Sequence, residues 1–196
     1  MPSEDDFTRR QIALFDRLSG ELQAALPYTI IRHTANSAAI ERFPEAHFDM
    51  CRLGLGLYGY GYCHNDELQP VATLKTRIVQ LRSRKAGEAI GYGGSEVLQR
   101  DSLIATIPVG YADGLDRHLS NGRWAMLVGG RKAVTVGRIC MDSCMIDVTD
   151  IDCRVGDRVE IFGQHLPVTK LSQWLDTIPY EILTSVSERV KRLYFE

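Results

Sequence analysis

Four short blocks in this 196-residue chain place reactive side chains at the ends of apolar runs. Pro108-Val109-Gly110-Tyr111-Ala112-Asp113-Gly114 closes an aliphatic run with a turn that carries a phenol and a carboxylate. A phenol of ordinary pKa, near ~10, transfers protons at neutral pH only where its site lowers that value or shares the proton with a neighbour; otherwise it flanks a hairpin. Arg138-Ile139-Cys140-Met141-Asp142 groups a guanidinium, soft side chains and a carboxylate, and reads as a binding edge or as an exposed ion pair beside a core strand. Arg52 precedes Leu53, Leu55 and Leu57 in an apolar run. That spacing predicts a buried guanidinium, which must find an acceptor. Asn36-Ser37 stand at a predicted helix start, where hydroxyl and backbone donors are of the kind that hold phosphate.

A fifth block fits a familiar pattern for the wrong reason. Gly54-Leu55-Gly56-Leu57-Tyr58-Gly59 matches G-x-G-x-x-G, but a dinucleotide fingerprint also needs a helix to begin there and an acid about 20 residues on. Tyr60-Gly61-Tyr62-Cys63-His64-Asn65 reads as a loop, and no Asp or Glu lies between Glu67 and Glu88. The glycines are expected to let backbone pass close to a ligand or turn sharply.

The elements that must position these blocks fall into two kinds. Residues 7–26 carry Ile12, Phe15, Leu18, Leu22, Ala25 and Leu26 on one helical stripe, with Ser3 and the following acids suited to its start and Pro27 to its end. A β-prone run at 28–32, a short helix at 38–43 and a second strand-like run at 48–58 continue an α/β alternation. Two strands cannot close a sheet, so residues 1–64 read as the tail of a larger α/β unit. From 65 to 196 the grammar changes. Runs at 71–81, 103–109, 124–128, 133–136, 145–148 and 158–162 alternate with turn signals such as Asp113-Gly114, Asn121-Gly122 and Gly129-Gly130. They predict a mainly β, antiparallel barrel-like domain. Short helices are expected around Leu171, Trp174 and Leu175, and over 180–190 behind Pro179.

Composition limits the function classes. With 44% hydrophobic and 24% charged residues, the chain has material for a real core. A net charge of −2 argues against a nucleic-acid partner or a membrane-seeking basic face. No apolar run approaches the ~20 residues of a bilayer span, and the acidic start lacks the pattern of a signal peptide. Five scattered cysteines fit neither a disulfide framework nor zinc spacing, so reduced thiols and a cytoplasmic location are expected. At ~150 residues per domain, the length corresponds to one domain and a fraction.

Taken in order, five blocks resemble the fold type III alanine racemases: His33-Thr34-Ala35-Asn36-Ser37; Arg52 with Gly54-Leu55 and Leu57-Tyr58-Gly59; Val109 through Gly114; Val136-Gly137-Arg138-Ile139-Cys140-Met141-Asp142; and Thr177-Ile178-Pro179-Tyr180-Glu181. The resemblance implies an N-terminal TIM barrel carrying pyridoxal 5′-phosphate and a C-terminal β domain. This chain resembles the last barrel elements plus the β domain.

The resemblance also implies roles. Racemising L- and D-alanine for cell-wall peptidoglycan requires two bases on opposite faces, the Schiff-base lysine and a tyrosine matched by Tyr111, which serves the L-enantiomer. Arg52 matches the arginine at the pyridine nitrogen, and His33 a histidine supporting it. Ser37, the backbone at Gly54 and Leu55, and Tyr180 match phosphate-binding groups. Met141 matches a substrate-carboxylate contact, and Arg138 and Asp142 fall at the substrate entry and its lining. Family homodimers are head-to-tail, which places Tyr111 and Met141 opposite a partner's barrel. Some members are fused behind a cell-wall peptide ligase, and no residue of this chain bears on that. One departure is large. No lysine precedes Lys75, and none lies in a matching motif, so this chain alone is expected to be inactive. The other reading of the same blocks is a non-catalytic oligomerisation or binding module that keeps the fold.

Overall fold

Three acids in the first turn, Glu4, Asp5 and Asp6, suit the positive end of a helix dipole, and α1 runs over Glu4–Ala25. The computed structural model describes residues 4–63 and 67–195; the expected cap Ser3 and the loop residues His64 and Asn65 lie outside them. The chain divides into two compact units, Met1–Val71 and Ala72–Glu196.

In the first unit, α1 is followed by α2 (Ser37–Arg42) and by 3-10 turns at Pro44–Ala46 and Leu55–Tyr58. Ala35, Phe43 and Ala46 form a small core against which Ile12 and Ile40 pack, and Phe15 meets Phe48 edge-on with ring centroids 5.2 Å apart. The predicted strands at 28–32 and 48–58 are not strands: no residue described in this unit belongs to one. The two segments do run side by side in the same direction, for Asp49 N–H donates to Arg32 O (3.1 Å) and Arg52 N–H to Ala35 O (2.9 Å). Two bonds between two segments make no ladder, and the second segment coils into the 3-10 turn where a strand was expected. The helical stripe is only partly covered, leaving Leu18 and Leu22 about half exposed at 48% and 52%.

Asn36 shows its use here. Its side chain caps α2, with Ala39 N–H donating to Oδ1 at 3.0 Å. Asn36→Ala is expected to lower the stability of this unit by about 1 kcal/mol, read from the urea midpoint; an unchanged midpoint contradicts the cap.

The second unit is built from β1 (Leu74–Arg77), β2 (Gln80–Arg84), β3 (Ala89–Ile90), β4 (Glu96–Val97), β5 (Ser102–Ile107), β6 (Ala125–Val128), β7 (Arg131–Val136), β8 (Cys144–Asp147) and β9 (Arg158–Phe162), followed by α3 (Val168–Trp174) and α4 (Pro179–Ser185). Seven strands form one sheet of order β1-β9-β6-β7-β8-β5-β2, antiparallel throughout, and β3 pairs with β4 alone. The terminal strands of that sheet, β1 and β2, are separated by only two residues. Ile78 N–H donates to Asp157 O (3.0 Å) on the β9 side, and Val79 N–H to Thr106 O (2.9 Å) in β5. The chain therefore steps from one edge to the other, curling the sheet on itself in the expected barrel-like manner. The single run predicted over 71–81 breaks at this step.

Ile107, Met126, Val128, Ile146, Val159 and Ile161, each at most 1% exposed, line the interior. The final helix is shorter than predicted, since α4 stops at Ser185 and the chain continues without regular structure. No helix among the described residues is long and apolar enough to cross a membrane.

Candidate active site

Register places two site turns at one end of the sheet. Ile107 pairs with Cys144 across β5 and β8, and Val136 with Met145 across β7 and β8. The turn leaving β5 and the turn joining β7 to β8 therefore emerge side by side. They are stitched by backbone: Tyr111 N–H donates to Cys140 O and Ala112 N–H to Met141 O, both at 3.0 Å. Gly110 makes this approach possible, because a Cβ there would lie 2.2 Å from Cys140 O and 2.4 Å from Met141 O. Asp113 is buried beneath the turn and accepts Gly110 N–H through Oδ2 at 2.9 Å. On the other turn, Ile139 N–H donates to Ser120 Oγ at 3.0 Å. Both turns are thus held by buried polar bonds that leave the Tyr111 and Met141 side chains outside, 45% and 54% exposed.

Between them opens a groove of about 500 Å³ lined by Tyr92, Tyr111, Arg117, Arg138, Met141 and Asp142, among others. The structure therefore gathers four residues singled out in the sequence, Tyr111, Arg138, Met141 and Asp142. It adds one that sequence reasoning missed. Tyr92 is 74% exposed and stands on the turn between β3 and β4. Gly91 (φ 79°) backs onto Gly137: a Cβ on Gly91 would lie 3.2 Å from Gly137 Cα and 3.2 Å from Arg138 N. Glu96 Oε2 accepts Gly137 N–H at 2.6 Å, tying that hairpin to the Arg138 turn. The signal available was Gly91-Tyr92-Gly93-Gly94, a tyrosine flanked by glycines, three of which take positive φ.

Tyr111 also borders a second groove of about 510 Å³, walled by Leu119, Phe162, Leu171 and Glu181 among others. Tyr180 is half-buried near the start of α4 and is not among the residues lining either groove.

The remaining candidates lie in the first unit. Ser37 and Gly54 meet directly, Gly54 N–H donating to Ser37 Oγ at 2.9 Å, where the 3-10 turn beginning at Leu55 opens. Ser37, Gly54 and Leu55 are therefore one cluster. A hydroxyl beside the opening amides of a turn is donor chemistry that suits a phosphate, so this cluster fits that part of pyridoxal phosphate provided the Gly54 amide exchanges Ser37 Oγ for a phosphate oxygen. Arg52 departs from expectation: its residue is exposed, and its Nη2 donates to Thr34 O at 3.1 Å. The apolar neighbours that implied burial, Leu53 and Leu57, are themselves 50% and 63% exposed, so they provide no cover. His33 is also exposed, and the bond fixing Arg52 goes to the carbonyl next to it.

The cysteines differ sharply in environment. Burial pushes the Cys144 thiol up to about 12, with the nearby Cys140 adding to the shift, whereas Cys63 is exposed. A raised thiol pKa keeps the unreactive protonated form. Iodoacetamide at about pH 8 is expected to alkylate Cys63 in the folded chain and Cys144 only after unfolding, as peptide mass mapping checks. Equal rates at both positions would contradict the burial of Cys144.

This geometry has close counterparts. The sequence profile for "Alanine racemase, C-terminal domain" matches residues 71–194, and that for "Alanine racemase, N-terminal domain" matches residues 1–61. Alanine racemase 1 of Clostridium acetobutylicum is 40% identical over 202 residues, covering 97% of this chain and 52% of that protein. The crystal structure of alanine racemase from Bartonella henselae with covalently bound pyridoxal phosphate superposes with a TM-score of 0.85 at 40% identity, covering 96% of this chain and 52% of that one. For the enzyme from D-cycloserine-producing Streptomyces lavendulae, the TM-score is 0.89 at 32% identity, over 96% and 52% of the two chains. The chain spans about half the length of these relatives. Two adjoining profiles that together account for nearly all of the sequence, and the same fold in both solved relatives, lead to one conclusion: the chain belongs to the alanine racemase family.

Proposed function

We propose that this chain supplies the C-terminal half of an alanine racemase site, with residues 1–64 contributing the cofactor-side elements of a barrel and 65–196 the β domain. The observation that carries the reading is the groove in which two phenols, Arg138 and Met141 converge, the Tyr111 and Met141 turns laced by backbone bonds and the Tyr92 hairpin tied on through Glu96. Racemisation needs a base on each face of the α-carbon. On the face that serves L-alanine, a tyrosine of this groove would take the α-proton at its oxygen as phenolate and return it as phenol. Tyr111 is the first candidate, by its place in the matched block. Tyr92 is a second reading, favoured by its greater exposure and by the close packing of Gly91, beside it, on the Gly137-Arg138 backbone.

Met141 offers its backbone to the substrate carboxylate, while Arg138 supplies positive charge at the entry and Asp142 lines it. Pyridoxal phosphate, when bound, supplies the electron sink that acidifies the α-carbon. Ser37, Gly54 and Leu55 would hold its phosphate, with Tyr180 as a further phosphate ligand. Arg52, supported from the His33 segment, would donate to the ring nitrogen; a guanidinium only donates, so it would favour an unprotonated nitrogen and discourage side reactions. The family pattern adds a head-to-tail homodimer, so Tyr111 and Met141 would act on a partner's substrate.

A non-catalytic binding or oligomerisation module is the alternative, favoured by the lack of any lysine before Lys75. Both readings agree about the chain by itself. Titrated with pyridoxal phosphate, it is expected to give no stoichiometric covalent adduct. A 1:1 adduct with the absorbance of a protonated imine would contradict this. The two readings separate when the chain is combined with the lysine-bearing N-terminal half of a relative: the enzyme reading expects racemisation, the module reading none.

A further inference from the structure

Beyond α4 the chain turns back along the Tyr111 turn. Ser187 N–H donates to Asp113 O at 3.3 Å, and a Cβ on Gly114 (φ 101°) would lie 2.5 Å from Ser185 O. This path delivers Arg189 to a position between two carboxylates. Its Nε lies 2.9 Å from Asp113 Oδ1, and its Nη2 donates to Asp142 Oδ1 at 2.5 Å. Asp113 is the residue that fastens the Tyr111 turn from below through Gly110 N–H. Asp142 directly follows Met141.

We infer that Arg189 is a positioning residue of this site, its guanidinium clasping the Tyr111 turn to the Met141 turn through Asp113 and Asp142. The planar fork suits the task, since it presents separate N–H groups to two carboxylates at once, which an ammonium does not do with fixed geometry. Exposure matters to the size of the effect. Arg189 and Asp142 side chains are 50% and 59% exposed, so that arm is a screened contact, whereas the Asp113 side chain is only 10% exposed and anchors the other arm. There is also an electrostatic consequence. Asp142 lines the groove. With Arg189 beside it, its charge is offset, leaving Arg117 and Arg138 to set the sign met by a substrate carboxylate.

Amide hydrogen exchange on the 196-residue chain tests the clasp without any cofactor. In Arg189→Gln, the Tyr111 and Ala112 amides, which bond to the facing turn, are expected to exchange about three- to tenfold faster, with the amides of β6 and β8 unchanged. Arg189→Lys should lie between, and Asp142→Ala, which removes only the exposed arm, should give a smaller increase. Unchanged exchange at Tyr111 and Ala112 would overturn the inference. Faster exchange spread equally over the core strands would also overturn it, by making Arg189 a general stabiliser. A second arm rests on the racemase reading: in the assembled enzyme, Arg189→Gln should raise KM for alanine about three- to tenfold, with kcat falling less and Lys partly restoring KM. An unchanged KM overturns the electrostatic part. If the assembled protein does not racemise, the racemase reading fails, and the exchange experiment still decides the clasp.

Discussion

Gly110→Ala is expected to lower the stability of the β unit by about 3 kcal/mol or more and to separate the two turns that carry Tyr111 and Met141. The expectation comes from contact and not from backbone strain, because Gly110 has φ −146°, an extended value open to other residues. The difficulty is what the new methyl would meet. Cys140 O and Met141 O stand 2.2 and 2.4 Å from it, and both are main-chain atoms engaged by Tyr111 N–H and Ala112 N–H. No rotamer change relieves such a clash, so the turns must part and those bonds lengthen or break. Urea unfolding of the 196-residue chain should show the loss, with Tyr111 and Ala112 amides losing protection before β6. A midpoint equivalent to less than about 0.5 kcal/mol of change would show that the turns are not held in this contact.

The second large effect concerns the phenols. Replacing the proton-transferring tyrosine by phenylalanine should reduce racemisation from L-alanine by about 10²–10⁴-fold in the assembled enzyme, because the ring stays and only the transferring oxygen is lost. Tyr111→Phe and Tyr92→Phe made separately decide between the candidates, and the one that is not the base should fall much less. If both variants keep full activity from L-alanine, the groove does not supply the base. The stability of each variant should be close to that of the parent, since both side chains are exposed and no core packing changes.

Much of this arrangement is legible in the residues themselves. The acids and the apolar stripe foretold α1, and β-branched runs set off by glycine turns foretold β5 to β9. The Tyr111, Arg138, Met141 and Asp142 blocks were recognisable, and they do line one groove. What was not legible depends on distant parts of the chain. Ile78 and Val79 are good strand residues, and the break between β1 and β2 there comes from closure of the sheet, a demand that no local window contains. The segments at 28–32 and 48–58 have strand-like composition, but they exchange only two backbone bonds, and the second coils into the 3-10 turn at Leu55–Tyr58 before a ladder can extend. The burial inferred for Arg52 failed for the same reason, because apolar neighbours in sequence do not provide cover in space. Tyr92 does not stand out in the sequence because Gly91-Tyr92-Gly93-Gly94 reads locally as a turn and nothing more; the contact of its turn with the Arg138 turn runs through Gly137, forty-odd positions away. Arg189 fell inside a helix predicted to reach residue 190, where an arginine would be solvated. Only the earlier end of α4 frees the chain to carry it back to Asp113 and Asp142.

The claim that the chain supplies half of an alanine racemase site is tested most directly by mixing the folded 196-residue protein with pyridoxal phosphate and the lysine-bearing N-terminal half of a relative. Conversion of L-alanine to D-alanine is then followed by chiral chromatography. The account predicts racemisation by the mixture, none by either half alone, and loss of most of it when the proton-transferring tyrosine of this chain becomes phenylalanine. A mixture whose halves associate and bind the cofactor but leave L-alanine unchanged would contradict it.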